Sequence, residues 1–264
     1  MVDKILNKAG KCRAFELSVY NQVKSGNIKT PVYLSAGQET IAASISVYCE
    51  NLGIKPLIFG QHRCHSIYLS FGGDAEKLID ELLGLESGCT KGKGGSASIH
   101  CPEINMFGHD GLMGSNVPIG VGACFASKKP TVVFVGDAAA EEDYALAAYG
   151  WAATKNLPIL FVVEDNNLSI LTEKKVRRSW EIYKVSESMG IKSYNITDNP
   201  ADILLALNDY SFTEPRLLNI NTNRMFWHSG AGKDGNVIDL LENEDITQEL
   251  DIFEKLWQNR LEKL

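Results

Sequence analysis

Two polar residues stand where one ligand could be shared. Asp137 follows Gly136 at the end of the apolar run Thr131-Val-Val-Phe-Val135, and Asn166 closes Glu164-Asp-Asn166 after the run Ile159-Leu-Phe-Val-Val163. If both runs are strands of an open parallel sheet, both residues lie beyond carboxyl ends, where such sheets bind ligands. A carboxylate and an amide supply hard oxygens, and Mg²⁺ takes one or two of these from protein and the rest from phosphate and water. Gly136 would let the backbone approach a phosphate, and the amides of Ala138, Ala139 and Ala140, at the start of a following helix, would favour an anion. An isolated Gly-Asp more often only turns the chain and caps a helix, so the surroundings must decide.

Those surroundings read as α/β. The two runs, together with Leu217-Leu-Asn-Ile-Asn221, have the length and unbroken apolar character of buried parallel strands. Between the first two, residues 141–155 are alanine-rich and end in Asn156-Leu-Pro158, which predicts a strand, helix, strand unit of a doubly wound, mostly parallel sheet with helices on both faces. Helices are expected over 2–25, over 39–51, and after Asp74, where Leu78, Ile79, Leu82 and Leu83 share one face and Gly84 stops the helix. Residues 245–264 place Ile246, Leu250, Phe253, Trp257 and Leu261 on one stripe, with Leu256 at its border, and that stripe must pack on something. Residues 229–236 hold three glycines and read as a flexible loop. The 264 residues are expected to form a single domain.

Composition excludes several classes. At 44% hydrophobic and 22% charged residues the chain is of ordinary globular type, and no window offers the roughly 18 apolar residues needed to span a bilayer. A formal net charge of −7 argues against nucleic acid as a partner but leaves room for a local anion site. Six dispersed cysteines without a CxxC pair argue against zinc or a redox centre, and with no secretory core at the start they predict free thiols in the cytoplasm.

The segment from Gly136 to Asn166 resembles the thiamine diphosphate signature, which opens on Gly-Asp-Gly and closes on an asparagine about thirty residues later; Ala138 replaces the third glycine. Further blocks are similar, in the same order, to the alpha subunit of the decarboxylating component of 2-oxo-acid dehydrogenases, the pyruvate and acetoin type. They are Ser35-Ala-Gly-Gln-Glu39, Lys91-Gly-Lys-Gly-Gly-Ser96, Gly111-Leu-Met-Gly114 with Val117-Pro118, Leu157-Pro158 and His228-Ser229, and the resemblance covers most of residues 1–232.

The resemblance implies a thiamine diphosphate-binding fold in which Asp137, Asn166 and the Leu168 carbonyl bind Mg²⁺ while Gly136, Ala138 and Ala139 face the diphosphate. Arg63, in His62-Arg-Cys-His65, would pair with that diphosphate, with His62 in the place of the family's tyrosine. Gly111 and Met113 would meet the aminopyrimidine ring. His65 and His228 would be the catalytic histidines, with His228 also touching the cofactor and the loop after it serving as a lid. His100 and His109 are expected to make local hydrogen bonds. Lys91 to Ser96 lacks the Gly-x4-Gly-Lys-Ser/Thr spacing of a nucleotide loop and reads as a positioning turn.

The family takes the glutamate that activates the cofactor from another chain, and about forty residues after Asn223 are too few for a second domain. The resemblance therefore implies half an active site, completed by a beta subunit in an alpha2-beta2 heterotetramer that decarboxylates a small 2-oxo acid and passes the acyl unit to a lipoyl group or another acceptor. The stripe of residues 245–264 and the run Ala145 to Ala153 are candidate surfaces for the beta partner and the alpha dimer. Tyr33 stands where pyruvate-type members carry a histidine before Gly-Gln-Glu. A split transketolase-like or carboligase subunit acting on a ketol, and a non-catalytic cofactor-binding scaffold, are the alternative readings.

Overall fold

Alternation along the central strands builds two cores, one on each side of a single sheet. The computed structural model describes residues 1–234 and 238–264. In chain order, helices α1 (Val2–Lys24) and α2 (Glu39–Asn51) precede strand β1 (Leu57–Phe59), helices α3 (His65–Ser70) and α4 (Ala75–Leu82), and strand β2 (Met106–Phe107). Helix α5 (Asn116–Ser127), strand β3 (Thr131–Gly136), helix α6 (Asp143–Thr154) and strand β4 (Ile159–Asp165) follow. Next come a two-stranded hairpin of β5 (Leu168–Ser169) and β6 (Thr172–Glu173), then helices α7 (Lys174–Arg177) and α8 (Ile182–Ser188). Strand β7 (Lys192–Thr197), helix α9 (Pro200–Leu207), strand β8 (Arg216–Asn221) and helix α10 (Thr247–Leu261) complete the chain.

The six-stranded sheet runs β2-β1-β3-β4-β8-β7 with every pairing parallel. Side chains alternate across a strand, so Val132, Phe134, Leu160 and Val162 face one core while Val133, Val135, Phe161 and Val163 face the other. The first core is closed by α1, α2, α9 and α10, the second by α5 and α6. After β1 the chain goes outward to β2 and then returns across β1 to β3. That reversal opens a crevice between the carboxyl ends of β1 and β3, the switch point at which doubly wound sheets take ligands.

The helices expected over 2–25, 39–51 and after Asp74 are present, and the Asp74 side chain accepts the Glu76 amide as a cap. Two expectations are corrected. Ala139–Glu141 forms a single 3₁₀ turn and α6 starts only at Asp143, so the amides of 138–140 belong to that turn and not to the first turn of a long helix. The stripe on α10 is no free docking face: Phe253 and Trp257 are buried, the Phe253 ring meets Phe15 of α1 edge-on at 5.3 Å, and the Trp257 indole N–H donates to Ser18 Oγ at 3.0 Å. Burying those two rings returns more than any solvated face could. In the alanine-rich run, Ala145, Ala148 and Ala152 are likewise buried, and only the outer face of α6 with Trp151 against Phe125 of α5 remains exposed.

Candidate functional site

One cavity of about 200 Å³ lies at the switch point, lined by Gln61, His62, Arg63, Met113, Gly136, Asp137, Ala138, Ala139, Glu142, Glu164, Asn166, Leu168, Ser169, Ile170 and His228. Parallel pairing sets Gly136 beside Glu164, so the turns after β3 and β4 leave the sheet side by side and bring Asp137 and Asn166 to one wall. Asn166 Oδ1 accepts the Leu168 amide at 3.1 Å, and Asn167, with φ of 64°, turns the chain so that Leu168 reaches the same wall. Ala138 has φ of −72° and ψ of −39°, ordinary right-handed values, so alanine serves where the signature has glycine.

Asp137 is buried. Arg177 donates to its Oδ2 and to Glu141, while Arg178 donates to its backbone carbonyl at 3.0 Å and to Glu141 at 2.8 Å. Burial, reinforced by Asp165, pushes the Asp137 carboxyl up to about 6, against the pull of Arg177. Among the described residues no hydrogen bond engages its Oδ1. Asp137, Asn166 and Leu168 all line the cavity, and a carboxylate, an amide oxygen and a backbone carbonyl are hard donors of the kind that suits a divalent ion whose other ligands are phosphate and water. Among the described residues no cluster of three His, Cys, Asp or Glu side chains exists to suggest another metal. A Cβ on Gly136 would stand 3.3 Å from Gln61 Oε1, so the bare backbone leaves this wall open for close approach. The residues present fit an Mg²⁺-bound diphosphate.

The cavity also has a cationic lining residue. Arg63 is buried, donates to the Leu34 carbonyl at 2.8 Å, and is pulled down to about 10 by burial and by Arg224. Arg224 is tied to Asp234 and to the Ile170 carbonyl, which leaves Arg63 as the arginine that lines the cavity and the guanidinium suited to an anion there. Burial, with Arg63 beside them, drops His62 to about 2 and His228 to about 4, so both imidazoles are neutral near pH 7. Glu164, fully buried and bonded by Gln61, is raised by burial to about 7.

Of the sequence-predicted residues, the cavity gathers His62, Arg63, Met113, Gly136, Asp137, Ala138, Ala139, Asn166, Leu168 and His228. Gly111 is exposed beside it, at φ of 105°, and does not line it. His65 is not at the wall. Its Nδ1 faces Glu16 at 3.1 Å and its Nε2 faces Ser96 Oγ at 2.9 Å, all three residues being buried. Both ring nitrogens of His65 are thus engaged within the chain, and His65 is not among the residues that line the cavity. His228 is held by its neighbours: the Trp227 amide donates to the Gly232 carbonyl, and the Gly230 amide donates to the Val32 carbonyl, each at 2.9 Å. The described part of the expected 229–236 loop is therefore a pinned turn, and residues 235–236 lie outside the described residues.

The Lys91 to Ser96 turn wraps a carboxylate of its own chain. Glu81 accepts the amides of Thr90, Gly92, Gly94 and Gly95 at 2.7–3.0 Å, which fills the anion nest from within and leaves no place for a nucleotide. Ser96 emerges from that turn to accept the Tyr33 amide at 2.8 Å. His100 does make a local bond, its Nδ1 accepting the Gly108 amide at 3.2 Å. Sequence reasoning missed Gln61, Arg177, Arg178 and Arg224, whose spacing has no period and whose meeting depends on distant turns.

The family described as Dehydrogenase E1 component matches residues 7–229. The chain belongs to that family. The mitochondrial pyruvate dehydrogenase E1 component subunit alpha of Schizosaccharomyces pombe is 30% identical over 231 residues, 82% of this chain and 54% of that one. The corresponding subunit of Rickettsia bellii is 30% identical over 192 residues, 70% of this chain and 57% of that one. The chain thus spans about half the length of these relatives. Among solved structures, transketolase from Campylobacter jejuni superposes with a TM-score of 0.65 at 15% identity, covering 100% of this chain and 49% of that one, which establishes the shared fold. The match within this E1 family spans every cavity-lining residue. No described helix is long and apolar enough to cross a membrane.

Proposed function

We propose that the chain is the alpha subunit of a heteromeric thiamine diphosphate-dependent enzyme that decarboxylates a 2-oxo acid and transfers the remaining acyl or aldehyde unit. The observation that carries this reading is the convergence of Asp137, Asn166, Leu168 and Arg63 on one cavity at the switch point of the sheet. Asp137, Asn166 and the Leu168 carbonyl would hold Mg²⁺, and through it the diphosphate. Arg63 would balance the diphosphate charge. When bound there, thiamine diphosphate would supply a nucleophilic carbanion and an electron sink for the loss of CO₂. Met113 would wall the aminopyrimidine, and His228, neutral and beside the cavity, can donate or accept a proton at the substrate carbonyl oxygen.

The cavity is smaller than the roughly 300–1,000 Å³ of a complete small-ligand site. Leu112, Ile170, Leu171 and Trp227 are exposed around it, each being or adjoining a lining residue. An apolar rim on a half-built site favours a partner there. We place the beta subunit on this rim, where it would also bring the glutamate that activates the cofactor, and the alpha dimer contact on the outer face of α6, in an alpha2-beta2 assembly. A lipoyl group is the acceptor this reading favours, and six free cysteines accord with a cytoplasmic setting.

The test is to co-purify the chain with the product of a neighbouring gene and assay 2-oxo-acid decarboxylation with an artificial electron acceptor, with and without Mg²⁺ and thiamine diphosphate. Turnover that needs both additions supports the reading. Reaction of ketose phosphates alone would replace it by a split transketolase-like subunit, and cofactor binding without any turnover by a scaffold.

A further inference from the structure

His62 lines the cavity, and among the described residues its buried Nε2 has no hydrogen-bond partner. Its ring meets Tyr33 edge-on with centroids 5.1 Å apart at 89°, and lies 5.3 Å from the His228 ring; Tyr33 and His228 are 5.5 Å apart. The three rings form one wall. Tyr33 is fixed from behind, since its amide donates to Ser96 Oγ, which also meets His65, and His65 in turn meets Glu16. This wall also carries two of the chain's departures from the motifs it resembles, a phenol at 33 and an imidazole at 62, where those motifs put imidazole and phenol. The departures are in contact, so the exchange keeps an edge-to-face pair while moving the imidazole to the cavity side.

A neutral imidazole offers one donor and one acceptor nitrogen. Burial and the adjacent Arg63 guanidinium keep His62 neutral, and Arg63, which lines the same cavity, is the group there that suits an anion. What an unpartnered neutral nitrogen lacks is an uncharged oxygen. We propose that His62, backed by Tyr33, selects the substrate of this site, favouring a 2-oxo substrate that carries a hydroxyl group near its reacting carbonyl over one with a plain alkyl chain. This rests on the reading of the cavity as the 2-oxo-acid site and names the class within it.

The test uses the co-purified complex and compares kcat/KM for a hydroxylated 2-oxo acid with that for the unhydroxylated acid of equal chain length, alongside the calorimetric affinity for thiamine diphosphate with Mg²⁺. His62→Phe should lower the ratio about three- to tenfold, the weight of one neutral hydrogen bond, and change cofactor affinity less than about twofold. His62→Gln, which retains a neutral donor and acceptor, should keep most of the ratio. The double exchange Tyr33→His with His62→Tyr should shift preference to the unhydroxylated acid while recovering thermal stability lost in either single variant. An unchanged ratio in His62→Phe overturns the proposal, as does a tenfold loss of cofactor affinity at constant ratio, which would seat His62 on the diphosphate. If only ketose phosphates react, the 2-oxo-acid reading falls, and the same comparison between a ketose phosphate and its deoxy analogue decides the role of His62. A complex inert to all of these overturns both.

Discussion

Replacing Trp257 by Ala should destabilise the chain by about 3–5 kcal/mol, the range for a fully buried tryptophan, because the surroundings cannot collapse into the space left. Trp257 is 0% exposed on the inner face of α10 and heads the largest fully buried side chains in the molecule. The lost indole bond to Ser18 contributes about 1 kcal/mol of this; Ser18 keeps its own bond to the Phe15 carbonyl at 2.7 Å, so its hydroxyl is not orphaned. Against a total of about 5–15 kcal/mol, such a loss should leave a folded but markedly weakened protein. Trp257→Phe, which retains most of the ring, should cost about 1–2 kcal/mol. Urea unfolding followed by circular dichroism reads both variants, and size-exclusion chromatography reads partner binding. A loss below about 1 kcal/mol in Trp257→Ala together with a lost partner would refute the reasoning and return the α10 stripe to service as a docking face. The consequence reaches the site, because Phe253 packs on Phe15 and Phe15 meets the His65 ring edge-on at 6.1 Å.

Further outcomes follow from the same geometry. His62 is held far below its ordinary value of 6.5 in the folded chain and regains that value on unfolding, so the unfolded state binds the extra proton as pH falls. Stability should therefore decline from pH 6.5 downward, and the decline should be shallower in His62→Phe by about 1 kcal/mol per pH unit, measured by urea unfolding between pH 6.5 and 4.5; equal slopes would contradict the burial of a neutral imidazole. Gly37 has φ of +97°, and an added Cβ would lie 2.5 Å from the Asn223 carbonyl, so Gly37→Ala should cost at least about 2 kcal/mol in thermal unfolding and loosen the segment that carries His228. Arg63→Gln should weaken thiamine diphosphate binding about 10- to 100-fold in calorimetry, the worth of a charge-assisted bond, and a loss under twofold would remove Arg63 from the diphosphate wall.

The sequence made the central strands legible because Thr131 to Val135 and Ile159 to Val163 are apolar on both faces, as a doubly covered parallel strand must be. It hid β7, whose residues Lys192–Thr197 alternate between exposed and covered positions at the sheet edge, and β1 and β2, which are only three and two residues long. Helix α5 was hidden by Pro118, Gly120 and Gly122; the proline lies in the first turn, where a missing N–H costs nothing, and at Gly120 a Cβ would press 2.6 Å from Val133 Cγ2. At the site, residues on short contiguous motifs were readable, since Asp137, Asn166 and Arg63 each carry a local signature. Arg224, Arg177 and the network from Glu16 through His65 to Ser96 were not, because their meaning lies in contacts across 31 to 54 residues of chain. His65 shows the converse: its motif was visible, and only the structure places both its ring nitrogens against Glu16 and Ser96, away from the cavity lining.

The most direct measurement of the central claim is calorimetric titration of thiamine diphosphate, with and without Mg²⁺, into the complex carrying either native Asp137 or Asp137→Ala. The account predicts Mg²⁺-dependent binding that falls at least about 100-fold in the variant, since on the proposed reading the Asp137 carboxylate would anchor the ion and the ion would anchor the diphosphate. Undiminished binding in Asp137→Ala, or binding indifferent to Mg²⁺, would contradict it.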